Sequence, residues 1–395
     1  MRQVRRSVRV QDGVEYPLLG MRWYGEGPFF RETVTADTAK ARVYFQVRAG
    51  DFIYNRLFAW KGSFGVVPGS FDGFYVSGEF PVFEPLPSLA LAEFVNLVMC
   101  RPLVWEQILR ESTGSTATSR NRWNEGRFLE WEIPLPPLAD QRRMVDLLHS
   151  VDDARQKLAS AVASIKATRR TVLLSMLDCL DAPSEPVASL LSHVIGGAWG
   201  ESPGLNEVDV AALGLRAFGD DDLTVTPRFS TTRSLSRERW ADRALRRDDI
   251  ILERSGGAED KPVGRVLLAD EDMESVVPTD FMRLLRVDHS RVLPRYVFWW
   301  LWARYQRGDT IAFQAKTTNI RNLRVGEYLR LPIPVPGRDE QARVVGVAEA
   351  FSRCYFAGKR HAESLGRTRS ALLDDLLSGD HEIPASYDRF LDGAA

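Results

Sequence analysis

Three side chains in the second half of the chain have the types and order for metal-assisted hydrolysis: Asp249, Glu259 and Lys261, a D-x9-E-x-K string. Two such carboxylates can share a magnesium ion, and the lysine can orient an attacking water. Three features argue against the string. Glu259-Asp260-Lys261-Pro262 follows Gly256-Gly257-Ala258 and ends on a proline, a loop context and not a strand flanked by apolar residues. No equivalent string stands beside Asp51 in the first half. Short patterns of this kind also recur by chance in a chain that is 27% charged. The other reactive residues form no constellation. His149, His193, His289, His361 and His381 are scattered, with no triad-like spacing to Cys or Ser. Cys100, Cys179 and Cys354 form no CxxC pair, which argues against a disulfide framework or a zinc site and fits a reducing cytoplasm. No phosphate-cradling GxxxxGK[ST] loop is present.

The elements that position these residues belong to a long chain with an ordinary globular composition. At 395 residues, two or more domains with their own cores are expected. No apolar run is long enough for a membrane span, and Met1 to Arg6 leads into no signal-like apolar stretch. The net charge of −1 and a pI near 6.6 lack the basic signature of a nucleic-acid binder. Of the 52 basic residues, however, only 7 are lysine. Arginine's planar fork suits phosphates and guanine edges, although a GC-rich genome would produce the same skew.

The chain repeats itself 200 residues on. Ile133-Pro134-Leu135-Pro136 returns as Ile333-Pro334-Val335-Pro336. Asp140-Gln141, Arg143 and Val145 return as Glu340-Gln341, Arg343 and Val345, and Thr168-Arg169, Leu173 and Leu177 as Thr368-Arg369, Leu373 and Leu377. A duplicated unit of this length implies a pseudo-twofold body with two similar working ends.

Each proline motif forces an extended lead-in. From Leu138 to Leu180 there is then neither Gly nor Pro. Met144, Leu148, Val151, Leu158, Val162, Ile165, Val172 and Met176 form an apolar stripe at spacings of four and three, interrupted by Arg155 and Arg169. The second copy keeps the register through Val344, Ala348, Phe351, Tyr355, Gly358, Ala362, Leu365, Arg369, Leu372 and Leu376, with Gly358 its weak point. Two long helices with matched seams are expected to bury them against each other. The stripe arginines should pair with carboxylates or run their stems along the seam. Residues 1–132 and 181–330 read as mixed domains, the second opening on a short linker, 181–186. Residues 133–180 and 331–379 are the proline lead-ins with their spacer helices, and 380–395 a tail. The globular parts match only loosely, as in Gly50-Asp51-Phe52-Ile53 against Asp248-Asp249-Ile250-Ile251.

On these residues the chain resembles the specificity subunit of type I restriction–modification systems. In that family an IPLPP-x-x-(E/D)-Q pattern ends each recognition domain and opens each long helix, as Ile133 to Gln141 and Ile333 to Gln341 do here. Asp51 and Asp249 look like the family's GDI segment, with Asp248 replacing its usual Gly. Gly20-Met21-Arg22-Trp23-Tyr24-Gly25 and Ile195-Gly196-Gly197-Ala198-Trp199-Gly200 resemble the family's typical domain openings. The second proline motif departs at Gly337-Arg338-Asp339, where Pro-Leu is more usual. The resemblance implies a chain without catalysis. It implies two domains that each read half of a split DNA site, and helices that dock two copies of a DNA methyltransferase subunit. A motor-nuclease subunit would join that assembly. The Asp249, Glu259, Lys261 string resembles the PD-(D/E)xK nuclease core and gives the rival reading. No NPPY or FxGxG methyltransferase signature is present.

Base readout needs polar or basic side chains on elements that reach a groove. The candidates are Thr118, Arg120, Asn121 and Arg122 in one polar segment, with Lys316, Thr318, Asn319 and Arg321 as its counterpart in the second domain. A further pair of segments is Arg56 with Lys61 and Ser63, and Arg254 with Lys261 and Arg265, where glycines admit a close phosphate. Arg2, Arg5, Arg6 and Arg9 are a candidate phosphate-binding arm. Val151, Leu158, Ile165, Val172, Phe351, Leu365 and Leu372 are the expected helix seam. The expected fold is α+β, with two globular recognition domains separated by two long antiparallel coiled-coil-like helices. The expected setting is the cytoplasm, with duplex DNA as ligand. No cofactor is expected in this chain, and S-adenosylmethionine in its methyltransferase partner. A scaffold that binds no DNA is the third reading.

Overall fold

The structure is a computed structural model that describes residues 1–112, 121–219, 221–256, 261–317 and 320–391. Two compact units divide the chain: residues 1–158 together with 361–395, and residues 159–360.

In the first unit, strands are short because turn residues punctuate the sequence every few positions. They are β1 (Arg2–Val4), β2 (Ser7–Arg9), β3 (Tyr16–Met21), β4 (Pro28–Val34), β5 (Val43–Gln46), β6 (Phe52–Tyr54), β7 (Phe64–Val66), β8 (Tyr75–Val76) and β9 (Val82–Glu84). One sheet has the order β1-β9-β6-β7, the other β2-β5-β8-β3-β4. Helices α1 (Ala92–Met99), α2 (Pro102–Glu111) and α3 (Glu125–Glu130) follow. They close an aromatic core of Phe52, Tyr54, Phe64, Phe83, Trp123 and Phe128. Next comes α4 (Leu138–Asp178), which runs on into the second unit.

The second unit repeats this plan with other residues. Its strands are β10 (Ser184–Pro186), β11 (Leu191–Gly196), β12 (Val208–Leu213), β13 (Ser230–Leu235), β14 (Ile250–Glu253), β15 (Ser255–Gly256), β16 (Val266–Leu268), β17 (Val276–Pro278), β18 (Met282–Val287), β19 (Gln314–Thr317), β20 (Ile320–Leu323) and β21 (Pro332–Pro334). The sheet β11-β18-β14-β16 has the topology of β1-β9-β6-β7, antiparallel throughout. The hairpin β12–β13 with β17 parallel to β12 matches the hairpin β3–β4 with β8 parallel to β3. After the short α5 (Arg237–Ala241) comes α6 (Pro294–Arg307), buried without a break from Tyr296 to Ala303. A helix apolar all round belongs inside, and α6 is the centre of this unit's core. Then follow α7 (Val325–Tyr328), α8 (Arg338–Ser378), which passes back into the first unit, and α9 (Asp388–Leu391).

The two long helices have equal length, 41 residues each. In the first unit Met144 shares a cluster with Leu376, and Leu148 with Leu373. In the second, Leu173 and Leu177 pack in one core with Val344 and Ala348. Rising numbers on α4 thus meet falling numbers on α8 within each unit, an antiparallel register. Gly358 is no weak point: a Cβ there would stand 2.5 Å from Val162 Cγ2, so the glycine lets the helices come close. The expected linker and tail also differ from expectation. Residues Ser184–Pro186 pair with Pro332–Pro334, pinning the second proline motif. The tail docks in the first unit, where Asp388 receives two hydrogen bonds from Arg143 (2.6 and 2.8 Å) and Tyr387 donates to Asp146 (2.7 Å).

Candidate nucleic-acid interface

The motif residues are clips. Gln141 is fully buried; its Oε1 accepts from Leu91 N–H (2.9 Å) and its Nε2 donates to the Leu89 and Pro136 carbonyls. Gln341 repeats this: Oε1 accepts from Leu293 N–H (2.8 Å) and Nε2 donates to Pro336 O. Leu91 and Leu293 precede α1 and α6, so each glutamine ties the start of a long helix to a helix of the preceding domain. The departure at Gly337–Asp339 leaves this clip intact.

Asp51 and Asp249 are equally structural. Each is buried at the start of an equivalent strand and accepts from the backbone N–H three residues earlier, Arg48 and Arg246. Asp51 accepts from Arg6 through both carboxylate oxygens (2.7 and 3.1 Å), and Asp249 accepts from Arg286 in the same way (2.8 and 2.7 Å). A carboxylate held this way inside the fold is not open to a metal ion, which removes one ligand of the nuclease reading. Glu259 lies outside the described residues, and no group of three His, Cys, Asp or Glu among the described ones is placed to hold a metal ion. Asp248 takes the left-handed conformation of its counterpart Gly50 (φ 68° against 84°) and is held there by Arg295 at 3.0 Å.

Several candidate DNA contacts are engaged inside the fold. Ser63 is fully buried and hydrogen-bonds Met21 O. Arg56 donates to Glu125 (3.1 Å) and Gly78 O (2.6 Å). Arg265 grips the buried Glu253 with two nitrogens (2.9 and 2.6 Å) and also donates to Phe218 O. Asn121 is buried, and Arg122 donates to Glu79 at 2.6 Å. The N-terminal arm is no free arm: Arg2 and Arg6 converge on Glu84, whose carboxyl they hold below its usual range, Arg2 most strongly. Arg5 reaches Glu125, and Arg9 ends the paired strand β2.

Others face outward or lie on the second unit's extra hairpin. Lys61 stands over the exposed Trp23 ring at 3.7 Å. Lys316 and Arg321 are register partners on the hairpin β19–β20, which joins β15 in a three-stranded sheet and replaces the expected loop. Lys261 is exposed. Thr118, Arg120, Thr318 and Asn319 fall outside the described residues. Of the seam residues, Val151, Leu158, Ile165, Val172, Phe351, Leu365 and Leu372 are half-buried. Buried positions stand beside them, among them Leu148, Arg169, Leu173, Val344, Ala348 and Tyr355.

The sequence reading missed a set of arginines that form no ion pair among the described residues. Arg233 stacks on the exposed Trp199 at 4.2 Å, and its buried Nε has no hydrogen-bond partner. Arg283 lies beside Arg254; burial first, and then that like charge, pull its guanidinium below the usual arginine range. Arg22 and Arg216 are exposed at the ends of β3 and β12. The signal for the last two was present in the chain: Leu19-Gly20-Met21-Arg22 reads against Leu213-Gly214-Leu215-Arg216. The two opening segments lie on different sheets, Gly20 on β3 of the hairpin sheet and Ile195 on β11 at the edge of the other.

Residues 20–162 match the type I restriction modification DNA specificity domain. No curated protein matches the chain. Among solved structures, the chain is similar to the HsdS subunit from Thermoanaerobacter tengcongensis, with 20% identity over 96% of this chain and 97% of that one and a TM-score of 0.47. A chain from a structure on complex assembly and conformational transition of the type I R-M system is 20% identical, covers 96% and 98%, and has a TM-score of 0.61. The type I restriction-modification S subunit from M. genitalium is 13% identical, covers 93% and 90%, and has a TM-score of 0.53. The last two share this chain's fold along nearly its whole length. The sequence match covers residues 20–162; for the rest of the chain the comparisons show a shared fold.

Proposed function

We propose that the chain is the DNA-recognition subunit of a type I restriction–modification complex. Each of its two domains reads one half of a split site, and the long helices dock two methyltransferase subunits. One observation carries this reading. A two-sheet domain occurs twice, each time followed by a 41-residue helix clipped on by the same buried glutamine, and the first copy matches a DNA specificity domain. The divergence of residues between two domains of one topology suits two ends that read different bases.

In this reading the chain performs no chemistry. The methyltransferase partner carries S-adenosylmethionine, and a motor-nuclease subunit completes the restricting form. The work of this subunit is to present cations and polar groups to phosphates and base edges from a fixed frame. Its setting is the cytoplasm, where its DNA lies. Among the described residues no helix is long and apolar enough to cross a membrane.

Methylome sequencing of cells that co-express the chain with a methyltransferase subunit tests the proposal. The expected result is new methylation at a two-part motif, of which exchanging residues 187–330 for another second domain changes one part only. Co-purification of the two proteins without new methylation would reject it. The net charge of −1 favours a scaffold that binds no DNA, and salt-sensitive binding to duplex DNA separates that reading from this one.

A further inference from the structure

Two exposed arginines occupy one place in two domains that share few other residues. β3 and β12 are equivalent strands, each the first of a hairpin and each paired in parallel with a later strand, Leu18 with Tyr75 and Ala212 with Val277. Each carries a glycine at its C-terminal end facing a phenylalanine across the hairpin, Gly20 one residue before the end of β3 and Gly214 one residue after the end of β12. Gly20 pairs with Phe29, and Gly214 N–H donates to Phe229 O at 3.2 Å. A Cβ on Gly20 would come within 2.5 Å of the Phe29 ring, and one on Gly214 within 2.9 Å of Phe229 O. Close approach therefore requires both glycines and fixes both strand exits. Two residues later stand Arg22 and Arg216, exposed in both cases. Among the described residues neither guanidinium makes a hydrogen bond or ion pair; that of Arg22 lies over the Phe29 ring at 5.3 Å, while its backbone N–H donates to Gly27 O. Directly beyond, the likeness ends: Tyr24 is exposed and Phe218 is buried.

Packing accounts for the shared Leu19 and Leu213, which are buried, and for the shared glycines. It does not account for the arginines, since an exposed side chain outside any ion pair or buried network contributes within about 0.5 kcal/mol to stability. Domains that read different bases can share only those contacts that carry no sequence information, and these are contacts to phosphate. We infer that Arg22 and Arg216 are twin contacts to the DNA phosphate backbone, one for each half-site and independent of the bases read. This rests on the DNA-recognition reading above.

The test is binding of the full chain to mixed-sequence duplex DNA between about 50 and about 200 mM KCl. Arg22→Gln and Arg216→Gln should each lower the slope of log Kobs against log[KCl] by about 0.9, and the double variant by about twice that. Arg22→Lys should restore the slope, because counterion release follows charge. Arg143→Gln, whose arginine is engaged by Asp388, should leave it unchanged. Unchanged slopes in Arg22→Gln and Arg216→Gln, with a wild type that binds and responds to salt, would overturn the inference alone. A methylated motif altered in one half by either substitution would also overturn it, since it would mark a base contact. A wild type without salt-dependent binding would instead bring down the DNA-recognition reading itself.

Discussion

Arg369 in the first unit and Arg169 in the second come from one position of the repeat, yet their charges are held by different means. Arg369 Nε donates to Asp152 at 2.7 Å, an ion pair at the edge of the seam. At the repeat position of Asp152 the second unit has Ser352, whose Oγ accepts from Arg169 at 3.1 Å. Arg169 is only 2% exposed and stands over Trp302 and Tyr355, at 5.0 and 5.5 Å from their centroids. Desolvation pulls its guanidinium below the usual arginine range. Aromatic faces thus do for Arg169 what a carboxylate does for Arg369. The repeat preserves length, register and the long cation; how that cation is compensated has been free to change.

The largest effect that sharpens this contrast is expected at the glutamine clips. Gln141→Leu takes the partner from three backbone groups and should cost about 3 kcal/mol, whereas Gln341→Leu takes it from two and should cost about 2 kcal/mol. Urea unfolding of the two variants measures both, and equal losses would mean that the copies are anchored alike. Next come the arginines themselves. Arg369→Met takes a partner from Asp152 and should cost about 1 kcal/mol, while Arg169→Met removes a desolvated charge and should be neutral or stabilising by about 1 kcal/mol. Thermal unfolding that shows the same loss for both would break the comparison. The smallest effect concerns acid. Glu84 is held low by Arg2 and then Arg6, whereas the equivalent place in the second unit is Arg286, itself a cation. A depressed carboxyl stabilises above its unfolded pKa and loses that contribution as pH falls through its lower folded value. Melting curves from about pH 7 to about pH 3 should therefore fall less steeply for Glu84→Gln than for the wild type. Parallel curves would show that the Arg2–Glu84–Arg6 cluster does not set the first unit's acid response.

The parts legible in the sequence are those written in local periodicity. The seams of α4 and α8, the proline lead-ins and the paired aspartates at strand starts could be read because helix and strand periods repeat within one short window. Arg56, Arg265 and Ser63 looked like DNA contacts because their types are polar and their neighbours include glycine. What engages them, Glu125, Glu253 and Met21 O, is brought in by the fold, and polarity carries no information about it. The hidden match of Arg22 to Arg216 was masked by spacing. Loops of unequal length displace it from the 200-residue offset that the helices keep, so a search in the helical register passes over it. The docking of the tail on Arg143 was equally unreadable, because Asp388 is 245 residues away.

The division of the chain fixes an order of events during synthesis. The second unit is contiguous, residues 159–360, while the first needs residues 361–395 to be complete. Domains made earlier on a ribosome generally fold earlier. Here the order of completion is reversed: the later domain closes its helix seam first. The earlier one waits, with Met144 and Leu148 lacking Leu376 and Leu373, until residues 361–395 emerge.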